Sequence, residues 1–410
     1  MRLKTIPIFF AFFVMGIADA MGPISEAVKN GYKISSVMST LLSFFVFIAF
    51  AAFSIPGGLL AARIGKKNLL LLGLALNVVA VLVPTLYLPQ YTILLGCIFL
   101  LGIGTTFLQV SGNPIMRDVS DEGHYSRNLS FAQGFKGIGS ASATLVPVIV
   151  IALFPFLKNM EGVEWRASFP VYLALMVITL VSVATLKVKE TKVDVPPSIA
   201  SCLSLLKQPV FLLAVVGIFL YVGAEVCMGR FLKPTLIGII APALKNVDAE
   251  KLTDPAAIEQ YEATAAVAHT FGPFMFLLSL AIGRIFGGFV LMVLSPKVFF
   301  RISALLGLLG AAAFMADIKW LSYAAVIGAG LGFANIWPLL FSVTVEEKPE
   351  RANELSGLMC MAISGGAIIP LIMGQLMDWD FGAFAFVVPV ICFAYLLVLS
   401  LRGGRTAATN

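Results

Sequence analysis

Four ionisable side chains interrupt long apolar runs: Asp19, Lys136, Glu225 and Arg284. Asp19 lies midway along PIFFAFFVMGIADAMGPISEAVK (Pro7–Lys29), with Gly16, Gly22 and Pro23 around it. A charge at the centre of a bilayer costs roughly 2.5–3.5 kcal/mol on insertion scales, so it faces a partner or a watered path. Asp19 is therefore a paired structural acid, an acid near the interface, or part of an ion route. At a rise of about 1.5 Å per residue, Lys136 stands roughly 13 Å and Asp19 roughly 18 Å from the starts of their runs. The lysine stem spans that difference. The spacing predicts an Asp19–Lys136 ion pair, broken and remade in use; the plainer reading has Lys136 snorkelling to the interface. Glu225 stands roughly 24 Å along its own run. It binds a ligand or pairs with Arg230 or Arg284, and Arg284 reads as a structural partner.

The elements that must position these groups follow from composition. The chain has 410 residues, 59% hydrophobic and 12% charged, with a mean hydropathy of +0.97. A soluble domain carries about twice that charge, so the chain is read as an all-α polytopic membrane protein. The net charge of +6 is no sign of nucleic acid, because its cations lie in short loops, where they set topology. Five cysteines without metal spacing are expected to be free thiols. His124 and His269 are too far apart in sequence to suggest a metal or triad site, and no nucleotide loop appears. An enzyme or a sensor is disfavoured, and no cofactor or metal is expected. The N-terminus resembles a signal peptide (Arg2, Lys4, an apolar run, then Ala18-Asp19-Ala20), but the run continues past Ala20 and no cleavage is expected.

Twelve apolar runs of spanning length are counted, at roughly 7–29, 35–61, 68–88, 91–116, 128–154, 168–186, 209–232, 266–294, 298–316, 321–345, 354–377 and 382–401. They are called spans 1 to 12. Lys and Arg crowd the loops on the side of Arg2 and Lys4, which predicts cytoplasmic termini. A polar break with Pro196 and Pro197 divides the spans six and six. The expected organisation is an N-terminal bundle (1–186), a cytoplasmic linker (187–208), a C-terminal bundle (209–401) and a short tail (402–410). The largest outer loop, about 240–265, carries EKLTDPAAIEQYEA, read as short helical pieces. The halves echo one another. Gly104 and Pro114 in span 4 match Gly328 and Pro338 in span 10, and the next spans open on RNLS (Arg127–Ser130) and NELS (Asn353–Ser356). Such breaks point to a parallel repeat, a site between the halves near the midplane, and rocking of the halves to alternate access.

The loop after span 2 reads Gly58-Leu-Leu-Ala-Ala62-Arg63-Ile-Gly65-Lys66-Lys67. It resembles the signature loop of the major facilitator superfamily, with Ala62 where the family usually has aspartate. Arg63, Lys66 and Lys67 would serve gating and structure. Span 7 carries Phe219-Leu-Tyr221-Val-Gly223-Ala-Glu225-Val226, similar to the signature of the fucose and glucose/galactose permease group of that superfamily. Further stretches agree with the group: Ala18-Asp19-Ala-Met-Gly-Pro23; Leu108-Gln109-Val-Ser-Gly-Asn113-Pro114; Asn128-Leu-Ser-Phe-Ala-Gln133; Gly283-Arg284-Ile-Phe-Gly287; Asn335-Ile-Trp337-Pro338; and the run from Ser356 to Pro370.

The resemblance implies the major facilitator fold, twelve transmembrane helices in two six-helix halves. It implies import of a hexose-type sugar (glucose- or galactose-like, or an amino sugar) by cation-coupled symport, with a proton the usual ion and sodium in some members. Asp19 would then take part in coupling, with Lys136. Gln109 stands where fucose carriers have glutamate; glucose, galactose and N-acetylglucosamine carriers are similar to this chain in having glutamine. The group usually has asparagine where Lys136 stands, so its ammonium would occupy the place of sodium. A sugar also needs planar amides, acids and aromatic faces, for which the candidates are Gln109, Asn113, Asn128, Gln133, Tyr221, Glu225, Asn335 and Trp337. Asn128 is alternatively a helix cap, Trp337 part of an interfacial belt, and Tyr221 simple packing. An uncoupled facilitator and a sodium symporter remain alternatives. A drug/proton antiporter is disfavoured, because span 5 (GFKGIGSASATLVP) lacks the Gly-Pro-Gly-Gly pattern of those exporters. The expected partners are a small sugar and membrane lipid, not nucleic acid. A monomer in a bacterial inner membrane is expected.

Overall fold

The computed structural model describes residues 6–19, 24, 28–29, 31–34, 36–159, 162–188, 190, 197–244, 252 and 254–402. Among these residues the chain is helical throughout, and nine helices are long and apolar enough to cross a membrane. Two shorter apolar helices, Ile6–Ala18 and Phe169–Thr185, supply spans 1 and 6. The 29-residue helix Tyr125–Leu153 is span 5 and completes the twelve. Spans 2, 3 and 4 are Ser36–Ile64, Lys66–Leu86 and Tyr91–Val119. Large apolar side chains such as Phe286, Phe289 and Leu371 remain exposed, as lipid-facing positions require.

Four elements differ from expectation. Span 7 runs Pro209–Ile240, 32 residues, eight beyond its apolar run, because Pro234 is accommodated within a continuous helix. Among the described residues of the stretch 240–265, a short turn of helix at Pro242–Leu244 is followed by a longer helix, Pro255–His269, with the Asp254 side chain accepting from the Ala256 N–H. It joins span 8 (Met275–Val290) through a wide turn at Thr270–Phe274, where Gly272 and Pro273 break the ladder. Spans 10 and 11 are each split. Span 10 is Lys319–Phe333 and Ile336–Glu347; span 11 is Ala352–Met361 and Gly365–Asp378, joined by a tight turn at Ala362–Ser364.

Packing groups the chain into two compact units, Met1–Val215 with Phe341–Ser364, and Val216–Leu340 with Gly365–Asn410. The division at residues 187–208 follows chain order and internal likeness. Packing follows side chains, and it gathers the segment 341–364 with the first unit.

Small residues set the closest crossings in the first unit, as in other membrane bundles. A Cβ on Gly16 would overlap the Lys136 carbonyl, and one on Gly139 the Phe13 carbonyl; the Ser140 hydroxyl donates to the Gly16 carbonyl at 3.0 Å. Span 1 thus lies directly on span 5. Span 2 meets the first segment of span 11 at Gly58 and Gly357, where a Cβ on Gly58 would come 2.6 Å from the Asn353 carbonyl.

The turn between spans 2 and 3 is held by acids from two other segments, Glu190 and Asp118. Gly65 holds φ +92°, a left-handed geometry glycine adopts freely. Glu190, from the linker, accepts from the Lys66 and Lys67 backbone N–H groups at 2.6 and 2.9 Å. Its carboxylate thereby satisfies orphan donors at the start of span 3 and complements the helix dipole. The Lys66 ammonium is buried on Asp118 at 2.5 Å. Lys67 donates to the Ala184 carbonyl at 2.8 Å, and Arg63 is exposed.

A second polar knot holds the linker helix Ile199–Ser204 to the start of span 11. Ser201 Oγ donates to Glu354 at 2.9 Å, and Arg351 donates to Glu354 and to Ser201 O and Oγ at 2.6–2.8 Å. The neighbouring Cys202 is buried, and burial, then the Glu354 carboxylate, push its thiol up to about 12, against a smaller opposing effect of Arg351. The docked linker therefore favours the neutral thiol. That contribution is complete below the ordinary thiol range and is lost as pH rises toward 12. We expect Cys202 in detergent-solubilised protein to label slowly with maleimide at pH 7 and at pH 8.5. Glu354→Ala undocks the helix and should speed labelling at least about tenfold, with the rate rising with pH as a free thiol's does. Equal rates in the two proteins would contradict this docking.

Candidate functional site

The first unit gathers the amides of spans 4 and 5. Asn113 is fully buried and Gln109 and Gln133 nearly so, each 2% exposed. Gln133 Nε2 donates to Asn113 Oδ1 at 3.4 Å, and the Tyr125 hydroxyl donates to the Asn113 carbonyl at 3.0 Å. Gln109 Oε1 and Ser130 Oγ have no hydrogen-bond partner among the described residues, and Asn113 Nδ2 faces the Cys360 thiol, a weak acceptor. An unmet buried polar atom costs about 1–3 kcal/mol. Gln109 and Asn113 stand one helical turn apart on span 4, and Gln133 on span 5 reaches them through Asn113. Ser130 is not among the sequence candidates; its membership of RNLS, echoed by NELS, is the signal that could have found it.

Local backbone geometry supports this cluster. Pro114 has no N–H, so it leaves the Val110 carbonyl without its helical donor. Ser356 Oγ, from span 11, donates to that carbonyl at 2.8 Å. Asn128 is not the helix cap, which is His124; its amide donates to Ser120 Oγ at 2.9 Å. That bond occupies Asn128 in joining spans 4 and 5.

Lys136 is also in the first unit, 8% exposed. It lies one turn before Gly139, and Asp19 one turn after Gly16, so both charged positions flank the same helix crossing. Asp19 ends the helix Ile6–Asp19; its side chain is outside the described residues, and so is the geometry of the expected pair.

The second unit connects three motifs that are far apart in sequence. Arg284 NH2 donates to Glu225 Oε1 at 3.1 Å and to the Tyr221 hydroxyl at 3.3 Å; its Nε donates to the Ala334 carbonyl at 3.2 Å. Of the two partners open to Glu225, Arg284 forms the ion pair, while Arg230 lies over the Phe231 ring. Asn335 Nδ2 donates to the Gly283 carbonyl at 2.7 Å, and Asn335 Oδ1 has no partner among the described residues. A Cβ on Gly287 would overlap the Asn335 amide, so the glycine makes room for it. Trp337 is buried, 4% exposed, which removes it from an interfacial belt. Tyr221 is buried with its ring 6.2 Å from that of Phe333; it packs and also serves Arg284.

All five cysteines are free and buried. Among the described residues no group of three or more His, Cys, Asp or Glu could hold a metal ion.

Apolar spans that carry buried polar clusters describe a membrane protein with an interior built for polar contacts. The sequence profile of the Major Facilitator Superfamily matches residues 8–233, and the chain belongs to that superfamily. Over nearly its whole length it is similar to a glucose/galactose transporter of Brucella abortus, 27% identical over 403 residues, covering 96% of this chain and 92% of the relative. An L-fucose-proton symporter of Haemophilus influenzae is 22% identical over 431 residues, covering 96% and 95%. Among solved structures, the fucose:proton symporter FucP of Escherichia coli superimposes with a TM-score of 0.78 at 18% identity, covering 98% and 99% of the two chains. That likeness carries the fold.

Proposed function

We propose that this carrier imports a hexose-type sugar, glucose- or galactose-like or an amino sugar, together with a cation, by alternating access. The observation that carries the reading is the buried amide cluster, with Gln109 Oε1 unmet and Asn113 Nδ2 on no stronger acceptor than the Cys360 thiol. A sugar hydroxyl is both donor and acceptor and can satisfy the two together. The full-length similarity to proteins named glucose/galactose transporters supports the same class. Gln109 cannot titrate, so its amide recognises substrate while coupling is assigned elsewhere.

Coupling is assigned to Asp19 with Lys136, and the proton is the proposed ion. A proton moving through about 100 mV supplies about 2.3 kcal/mol, enough for more than tenfold accumulation. The buried Lys136 beside the span 1–5 crossing supports independence from sodium, because an ammonium there fills the place of a metal cation. The same burial favours an uncoupled facilitator as the second reading: a permanently paired Asp19 would carry no ion. The working protein is placed in a bacterial inner membrane as a monomer with cytoplasmic termini, in keeping with the Lys/Arg asymmetry of its loops. Counterflow of labelled sugars in proteoliposomes tests the substrate class, and imposed pH and sodium gradients separate symport from facilitation.

A further inference from the structure

Pro338 lies four residues after Ala334 and has no N–H, so the Ala334 carbonyl has no helical donor. The bonds on either side persist: the Ala334 N–H donates to Gly330 at 3.1 Å and the Leu339 N–H to Asn335 at 3.1 Å. The helix breaks between them, at Ala334–Asn335. Arg284 Nε fills the vacancy at 3.2 Å, while its terminal nitrogen serves Glu225 and Tyr221. The next residue, Asn335, ties back to span 8 on the Gly283 carbonyl. Span 8 thus grips span 10 on both residues of the break. The other half has the same device in different chemistry, with Pro114 freeing Val110 and Ser356 donating to it.

We propose that Arg284 is a positioning residue for substrate recognition. By capping the carbonyl that Pro338 frees, it fixes the break that orients the unmet Asn335 Oδ1 and, two residues on, Trp337. The proposal rests on the sugar reading for its ligand, but its contact can be tested without one. A simple ion-pair role would need only a positive charge opposite Glu225. The proposed role needs a donor for Ala334 as well, which Arg284 supplies from Nε while Nη2 serves Glu225; lysine's three N–H donors radiate from one nitrogen and do not reproduce that fork.

The two roles separate in a cycle of wild type, Arg284→Lys, Pro338→Ala and the double variant. Arg284→Lys keeps the charge for Glu225 and loses the second donor. Pro338→Ala restores a backbone N–H that donates to Ala334 itself. Measured by hexose counterflow in proteoliposomes, Arg284→Lys should raise KM about tenfold alone and no more than about twofold in the P338A background. An unchanged KM in Arg284→Lys, or the same rise in both backgrounds, overturns the proposal. The Tm of the four purified proteins reads the same contact without substrate: the fall caused by Arg284→Lys should shrink by at least half in the P338A background, and an equal fall overturns it. If wild type moves no hexose while the Tm cycle shows the rescue, the sugar reading fails and the Arg284–Ala334 contact stands.

Discussion

Replacing Asn113 by leucine should raise the KM for hexose transport at least about 30-fold and lower the Tm modestly. Asn113 is fully buried, and its Nδ2 has no oxygen acceptor among the described residues. Leucine is similar in shape and size, so packing is largely kept and that donor is removed. The change also takes the acceptor Oδ1 from the buried Gln133 Nε2, which costs about 1–3 kcal/mol of stability. For a sugar it removes a donor and leaves a hydroxyl dehydrated and unpaired, a loss of about 2 kcal/mol or more, which is about 30-fold in affinity. A site built on hydrogen bonds discriminates in this way against a missing partner. If Asn113 were only a structural amide between spans 4 and 5, Tm would fall in the same way with the loss of the Gln133 contact, and the KM of the folded fraction would not move. Kinetics in proteoliposomes and thermal unfolding of the same preparation decide between them.

Replacing Lys136 by asparagine should make uptake depend on sodium. Wild type should transport equally in sodium and potassium buffers, and Lys136→Asn should be stimulated at least about fivefold by sodium. Lys136 is buried, and its backbone carbonyl lies against Gly16, one turn from Asp19. In the proposed Asp19–Lys136 pair, removing the lysine leaves a buried charge that costs about 3–5 kcal/mol. The asparagine would be neutral and offer a carbonyl oxygen, a ligand type suited to a hard cation. A small cation is then the available compensation for Asp19. Uptake measured across imposed sodium and pH gradients gives the answer, and unchanged ion dependence in Lys136→Asn would remove Lys136 from the coupling scheme.

The residues explain why some of this is visible in the sequence. Twelve apolar runs predict twelve helices because lipid allows a spanning chain little else. The buried amides are visible because Gln109, Asn113 and Gln133 are costly in an apolar helix and need a reason to be there. Side-chain identity in the span 7, 8 and 10 motifs is equally plain, but their convergence is not. Linking Arg284 to Ala334 requires knowing that spans 8 and 10 lie side by side, and no local pattern carries that. Glu190 and Asp118 escape notice because each stands in a charge-rich stretch where any acid looks solvated. The outer helix Pro255–His269 is a different case: Asp254 followed by Pro255 is a helix-start signal, outweighed by the polar composition of the loop. The gathering of 341–364 with the first unit depends on close approaches such as Gly58 to Asn353, which only packing reveals.

The central claim, that this protein is a sugar carrier, meets its most direct test in counterflow. Purified protein in liposomes preloaded with unlabelled hexose should take up trace labelled glucose, galactose or N-acetylglucosamine in a transient overshoot absent from protein-free liposomes, and an inward proton gradient should sustain accumulation. No overshoot with any hexose, alongside proton-driven movement of an apolar cation, would contradict the account and mark the chain as an exporter instead.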